Sequence, residues 1–258
     1  MLITVSLLII LGGLGFSVIL ETIRCREGFR SLSLHTRIVL TLTGILLAAG
    51  AFVFLFAEGT NAATLKERGA GEKALNAFFQ SVTMRTAGFN SFDLSRMRDG
   101  SKLFSTLLMF IGASPASTGG GVKTTTAAAA VLLVISVVRG QEDVNLGGRR
   151  LPGDVTKRAL AVCAIALSMV FAGTLLIALL EGGRYSLADI LFETTSAVAT
   201  VGVSAIGSSH LTVGSRIVLI PLMFLGRVGP LTLATALAKG QGSAKTHVKF
   251  PEESVMIG

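Results

Sequence analysis

Residues 192–204, Phe192-Glu193-Thr194-Thr195-Ser196-Ala197-Val198-Ala199-Thr200-Val201-Gly202-Val203-Ser204, have a counterpart 114 residues earlier. There the chain reads Phe78-Phe79-Gln80-Ser81-Val82-Thr83-Met84-Arg85-Thr86-Ala87-Gly88-Phe89-Asn90, and Phe, Thr and Gly keep their places. The same offset carries Gly100-Ser101-Lys102 onto Gly214-Ser215-Arg216 and Leu108-Met109-Phe110 onto Leu222-Met223-Phe224. Self-similarity at one fixed offset marks a duplicated unit. In each copy a short apolar run ends in Thr-x-Gly and lies between two long apolar runs. A second offset, 214, lays Leu8-Ile9-Ile10-Leu11-Gly12-Gly13-Leu14-Gly15 over Leu222-Met223-Phe224-Leu225-Gly226-Arg227-Val228-Gly229. Residues 1–20 are therefore expected to be the closing span of a further, incomplete copy. A signal peptide fits them less well, because the basic start and the small-residue cleavage site are missing.

Composition sets the solvent. Of 258 residues 51% are hydrophobic and only 15% charged, with a mean hydropathy of +0.71, which excludes an ordinary soluble domain. Runs at 1–20, 38–57, 103–138, 159–180 and 217–238 can each reach across a hydrocarbon layer of ~30 Å. The expected fold is an all-α integral membrane protein of tandem span–re-entrant helix–span repeats, with five spans and two re-entrant helices. One complete repeat occupies 38–138, its second span broken within 103–138, and the final repeat occupies 159–238. Loops at 21–37 and 139–158 and the tail at 239–258 are expected on the cytoplasmic side. Those three segments hold 12 of the 23 Lys and Arg residues, the signature of cytoplasmic loops. The net charge of +8 thus points to topology rather than to nucleic acid. Cys25 lies in a basic loop and Cys163 in a span, so no disulfide is expected.

Two apolar runs, Ala74–Arg85 and Leu187–Ala199, are too short to span. Backbone that leaves helical geometry at membrane depth must be surrounded by protein or line a water-filled path. Thr86-Ala87-Gly88-Phe89-Asn90 and Thr200-Val201-Gly202-Val203-Ser204 are accordingly expected to line a pore. A cation crossing a membrane needs oxygens in place of its water shell, and backbone carbonyls can converge on one axis only where some residue takes a conformation that a side chain disfavours. Gly88 and Gly202 supply it. The negative C-terminal ends of the two short helices favour a cation at the same point.

Between Leu103–Ile111 and Thr124–Val138 the span is interrupted by Gly112-Ala113-Ser114-Pro115-Ala116-Ser117-Thr118-Gly119-Gly120-Gly121-Val122-Lys123, which no helix accommodates. Its Gly-Val-Lys-Thr ending lacks the spacing and the preceding strand of a phosphate-binding loop. A close helix contact smoothed by glycine does not need three consecutive glycines and a lysine. An intramembrane loop below the pore is the better expectation. Arg227, in Leu225-Gly226-Arg227-Val228-Gly229-Pro230, is expected at mid-span, too deep to snorkel. A charge there is a functional hypothesis by default.

These motifs, together with Phe250-Pro251-Glu252-Glu253-Ser254-Val255-Met256-Ile257-Gly258 at the end, resemble the membrane subunit of the Trk/Ktr/HKT potassium transporters, and the ending resembles the Ktr branch. The resemblance implies a potassium-channel-like fold of four span–pore helix–span repeats around one path, of which this chain resembles the C-terminal portion. It implies that Thr86–Asn90 and Thr200–Ser204 are the third and fourth potassium-binding filter segments. It also implies that Gly119, Gly120, Gly121 and Lys123 belong to a gating loop opposed by Arg227. Potassium is the implied transported ion, sodium an implied coupling ion in a symport, and no further cofactor is implied. The implied partners are the lipid bilayer, a second copy in a homodimer and a cytoplasmic ring of nucleotide-binding regulatory subunits. The implied location is a bacterial inner membrane, crossed several times.

Two other classes remain open on sequence. A secondary transporter of a small solute also breaks helices at mid-membrane, but these copies run parallel and no acidic residue lies clearly inside a span. A truncated, non-conducting chain would act only as a structural partner. No enzyme is expected: His35, His210 and His247 are scattered through polar segments, and no nucleophile has an evident base.

Overall fold

The computed structural model describes residues 1–25, 28–141, 143–146 and 148–229. The expected tail at 239–258 and the last part of the 217–238 span lie outside them. Apolar runs become helices wherever glycine and proline do not interrupt them. The two longest, α3 (Leu34–Glu58) and α7 (Gly153–Glu181), have 25 and 29 residues and are long and apolar enough to cross a membrane. Each begins earlier than its apolar run. The Ser33 hydroxyl caps α3 by accepting the Thr36 N–H, and α7 starts directly after Pro152, whose φ of −60° suits a helix start.

Of the other three expected spans, two are divided within the described residues. Residues 1–20 fall in α1 (Leu2–Leu14) and α2 (Phe16–Arg24), which meet at 98°. The corner is Gly15, at φ 88°, and a Cβ added there would overlap the Pro115 carbonyl. Residues 99–138 form α5 (Asp99–Phe110) and α6 (Thr124–Val138), separated by the non-helical segment that the glycines foretell. The last, α9 (Val213–Val228), stops at Gly229 with φ 90°. Gly15 and Gly229 thus end their helices in matching ways, as the offset of 214 requires. The short helices are α4 (Ala70–Thr83) and α8 (Leu187–Val198), about 20 Å long. Between α6 and α7 a small antiparallel hairpin, β1 (Asn145–Leu146) and β2 (Arg149–Arg150), replaces what sequence suggested was plain loop.

The two units are α3-α4-α5 and α7-α8-α9. Within each, the short helix packs on the opening helix. Between them α5 packs on α8, as α1 packs on α4. One core cluster joins the units, with Phe54, Leu65, Met84, Leu108 and Met109 of the first meeting Phe192, Ala199, Val201 and Val203 of the second. Large apolar side chains such as Phe52, Phe56, Phe171, Leu179 and Phe224 face outward. Helices apolar on both faces suit lipid on the outside.

Glu58-Gly59 at the end of α3 recurs as Glu181-Gly182 at the end of α7, and the recurrence has a structural cause. Glu58, fully buried, accepts the Arg98 N–H at 3.0 Å, the Thr64 hydroxyl at 2.7 Å and the Asn61 amide at 2.7 Å, and also the Ser101 hydroxyl. Glu181 accepts the Thr212 N–H at 2.8 Å and the hydroxyls of Thr212 and Ser215 at 2.9 and 2.6 Å. Each carboxylate ties the end of an opening helix to the N-terminus of the closing helix, where the helix dipole favours negative charge.

Candidate functional site

The C-termini of α4 and α8 run directly into Thr86–Asn90 and Thr200–Ser204. Positive φ falls at matched positions, 70° at Thr86 and 80° at Gly88, 55° at Thr200 and 88° at Gly202. The glycines were expected to carry this conformation, whereas the threonines were not. A β-branched residue there is strained, by about 1–2 kcal/mol, and needs surrounding structure to hold it. The two segments lie side by side: a Cβ on Gly88 would stand 2.8 Å from the Val201 carbonyl oxygen. Val201 and Val203 bury their side chains in the shared core, while Gly202 is exposed.

Both segments are pinned from behind by groups that the sequence reading missed. Thr83 donates its hydroxyl to the Phe89 carbonyl at 2.6 Å and accepts the Phe89 N–H at 3.0 Å. In the second unit Ser196 donates to the Val203 carbonyl at 2.6 Å. Glu193, buried in α8, accepts the Ser204 hydroxyl at 2.6 Å and the Ser208 hydroxyl at 2.7 Å. The signal for Glu193 stood in the sequence, as a carboxylate within a short apolar run.

The segment 112–123 closes on itself. The Gly112 N–H donates to the Val122 carbonyl and the Val122 N–H to that of Phe110, both at 3.0 Å, and these bonds form a narrow neck. Lys123 Nζ folds back onto the Gly119 carbonyl at 2.6 Å. On one side the loop docks on the α1–α2 corner, where Ser114 and Thr118 donate their N–H groups to the carbonyls of Gly13 and Gly12, and Phe16 donates to that of Ala116. On the other side it lies under both Thr-x-Gly segments. A Cβ on Gly119 would overlap the Thr86 hydroxyl, and one on Gly120 would overlap the Thr200 hydroxyl and stand 2.6 Å from the Ala199 carbonyl oxygen. Gly121, at φ 70°, completes the turn. This contact is the reason for three consecutive glycines. The Thr200 hydroxyl is buried without a hydrogen-bond partner among the described residues.

Arg227 is not at mid-helix. It occupies the last turn of α9 and is exposed among the described residues. The helix ends at Gly229, whose φ is 90°. Arg227 Nη1 donates to the Thr118 carbonyl at 3.2 Å and, with Lys123, lines a cavity of ≈ 400 Å³ beneath the loop. A second arginine was overlooked. Arg85, the last residue of the short apolar run Ala74–Arg85, is buried and donates Nη2 to the Gly112 carbonyl at 3.0 Å.

Duplicated helical units whose shortened helices end in facing Thr-x-Gly loops, with a glycine loop lodged beneath, suit a protein that carries cations across a membrane. Sequence comparison assigns the class: the chain belongs to the TrkH family of cation transport proteins, whose sequence model matches residues 1–247. The family is one of transport proteins, not enzymes. Among its relatives are the Ktr system potassium uptake protein B of Bacillus subtilis strain 168 and that of Vibrio alginolyticus. The first is 36% identical over 254 residues, which cover 98% of this chain and 56% of that protein. The second is 38% identical over 256 residues, covering 99% and 55%. The potassium/sodium uptake protein NtpJ of Enterococcus hirae is 34% identical over 264 residues, covering 100% and 57%. In fold, the chain is similar to the potassium transporter TrkH from Vibrio parahaemolyticus, with a TM-score of 0.68 and 17% identity over 90% of this chain and 50% of that one. The chain spans about half the length of the curated relatives it matches.

Proposed function

We propose that this chain carries potassium ions across the cytoplasmic membrane of a bacterium, down their electrochemical gradient, through a path lined by backbone carbonyls. The observation that carries the reading is the meeting of Thr86–Asn90 with Thr200–Ser204, with matched positive φ at Thr86, Gly88, Thr200 and Gly202 and the glycine loop directly beneath both threonines. On this reading α4 and α8 are pore helices, and the chain crosses the membrane five times, two of the crossings bent or broken. Gly119, Gly120, Gly121 and Lys123 form the gate, and Arg227 holds the Thr118 carbonyl from below. Relatives named for potassium uptake, and one named for potassium and sodium uptake, support potassium as the substrate and leave sodium as the proposed coupling ion. Two segments make half of a four-sided filter, and two more come from further repeats or from a second copy. A homodimer on a cytoplasmic nucleotide-binding ring is the proposed assembly.

The test is potassium uptake by this chain in bacteria stripped of their own uptake systems, beside Gly202→Ser. A side chain at φ 88° strains the filter backbone by about 1–2 kcal/mol, and the expected result is a potassium-over-sodium flux ratio reduced about tenfold. Equal ratios in the two proteins would refute the filter. Solute uptake with no cation current would favour a secondary transporter instead.

A further inference from the structure

Arg85 lies at the hinge between the third-segment filter and the root of the glycine loop, and no role has so far been given to it. Its side chain is buried, and among the described residues no carboxylate lies within ion-pairing distance. Nη2 donates to the Gly112 carbonyl, and Nε has no partner. A charged group so placed is costly to bury. The fold of a unit does not require it, because the matching position in the second unit is Ala199 and α8 still ends in the same Thr-x-Gly geometry. There Gly226, the counterpart of Gly112, packs straight against the Val198 carbonyl, where a Cβ would overlap it. The first unit, instead of that direct contact, has a guanidinium spanning from the end of the pore helix to the loop.

Contacts continue beyond Gly112. A Cβ on Gly112 would overlap the Gly120 carbonyl, and Gly120 lies against Thr200. One line of contact therefore runs from Arg85 through Gly112 and Gly120 to the filter threonine of the other unit. Arg227 grips the same loop at Thr118. We infer that Arg85 is a positioning residue for the gate: together with Arg227 it forms a two-arginine latch that holds the glycine loop against both filter segments. Releasing Arg85 frees the loop at its root, lets it drop away from Thr86 and Thr200, and raises ion flux without changing which ion is preferred.

This rests on the gating reading of the loop, and the experiment separates the two. Thr118 is exposed on the loop and is replaced by cysteine in the full chain after Cys25 and Cys163 are changed to serine. A membrane-impermeant maleimide is then applied to inside-out vesicles. Arg85→Gln is expected to speed labelling about tenfold, equivalent to about 1.4 kcal/mol in the closed-to-open balance. Arg85→Lys, with the charge kept but the fork lost, is expected to fall between. Potassium flux rises in the same order, at an unchanged potassium-to-sodium ratio. A labelling rate in Arg85→Gln within twofold of its parent overturns the latch, whatever the flux. Faster labelling with no potassium flux in any variant leaves the latch standing and sinks the potassium reading. If Arg85→Gln does not insert, Arg85→Lys decides alone, and unchanged labelling there overturns the proposal.

Discussion

At the scale of single residues, the glycines do two different jobs. Gly88 and Gly202 are required by backbone angle, whereas Gly119 and Gly120 are required by space, since the hydroxyls of Thr86 and Thr200 occupy the positions their Cβ atoms would take. Gly120→Ala is therefore expected to push the loop away from the Thr-x-Gly segments rather than to unfold the protein, because Gly120 carries no left-handed angle. The expected outcome is potassium flux raised severalfold with the ion ratio kept, measured by isotope uptake into vesicles; a flux at or below the parent's would mean that the loop does not obstruct the path. These glycines were legible in the sequence because spacing and clustering survive in one dimension. Thr86 and Thr200 at positive φ were not legible, since propensity argues against them and only the surrounding packing imposes the angle. Arg85 was passed over for a similar reason: its position just before the first Thr-x-Gly segment gives no sign that its side chain turns inward to Gly112.

At the scale of elements, helix ends carry more of the architecture than helix middles. The lengths of α4 and α8 and the break between α5 and α6 followed from where apolar runs met glycine and proline. The 98° corner at Gly15 did not, because a glycine permits a bend without fixing its angle, and the angle comes from the loop residues Pro115 and Ala116 docked against it. The two buried carboxylates show the same dependence on helix ends. Glu58→Ala strands the Arg98 N–H and the hydroxyls of Thr64 and Ser101 in a buried site, and Glu181→Ala strands the Thr212 N–H and the Ser215 hydroxyl. Unsatisfied buried donors cost about 1–3 kcal/mol. Both variants are expected to unfold at lower temperature in detergent, Glu58→Ala by the larger shift because more donors lose their acceptor. Equal midpoints for parent and variants would show that water replaces the carboxylates freely.

At the scale of the whole molecule, the site exists only because two units are held in register, since each contributes one Thr-x-Gly segment and the loop of the first reaches under the threonine of the second. The duplication was legible from one repeated motif, and it returns as the matching helix orders α3-α4-α5 and α7-α8-α9. What joins them was not, because Lys102 and Asp189 are far apart in the sequence and only the packing of α5 on α8 brings them together. Lys102 Nζ stands 2.6 Å from Asp189 Oδ1, with side chains 6% and 20% exposed. A pair this enclosed is screened little by solvent. Removing one partner of a fully buried pair costs about 3–5 kcal/mol, and the partial exposure of Asp189 brings the expected loss down to about 1–3 kcal/mol. Lys102→Met should therefore lower the unfolding midpoint and, by letting the units slide, blur the potassium-to-sodium ratio without touching either Thr-x-Gly segment. The charge-reversed double variant, Lys102→Asp with Asp189→Lys, is expected to recover most of both, as an interaction energy between contacting residues requires. Recovery of stability without recovery of the ion ratio would separate the two effects and show that register is set elsewhere in the shared core, at Met84, Phe192 and Val201.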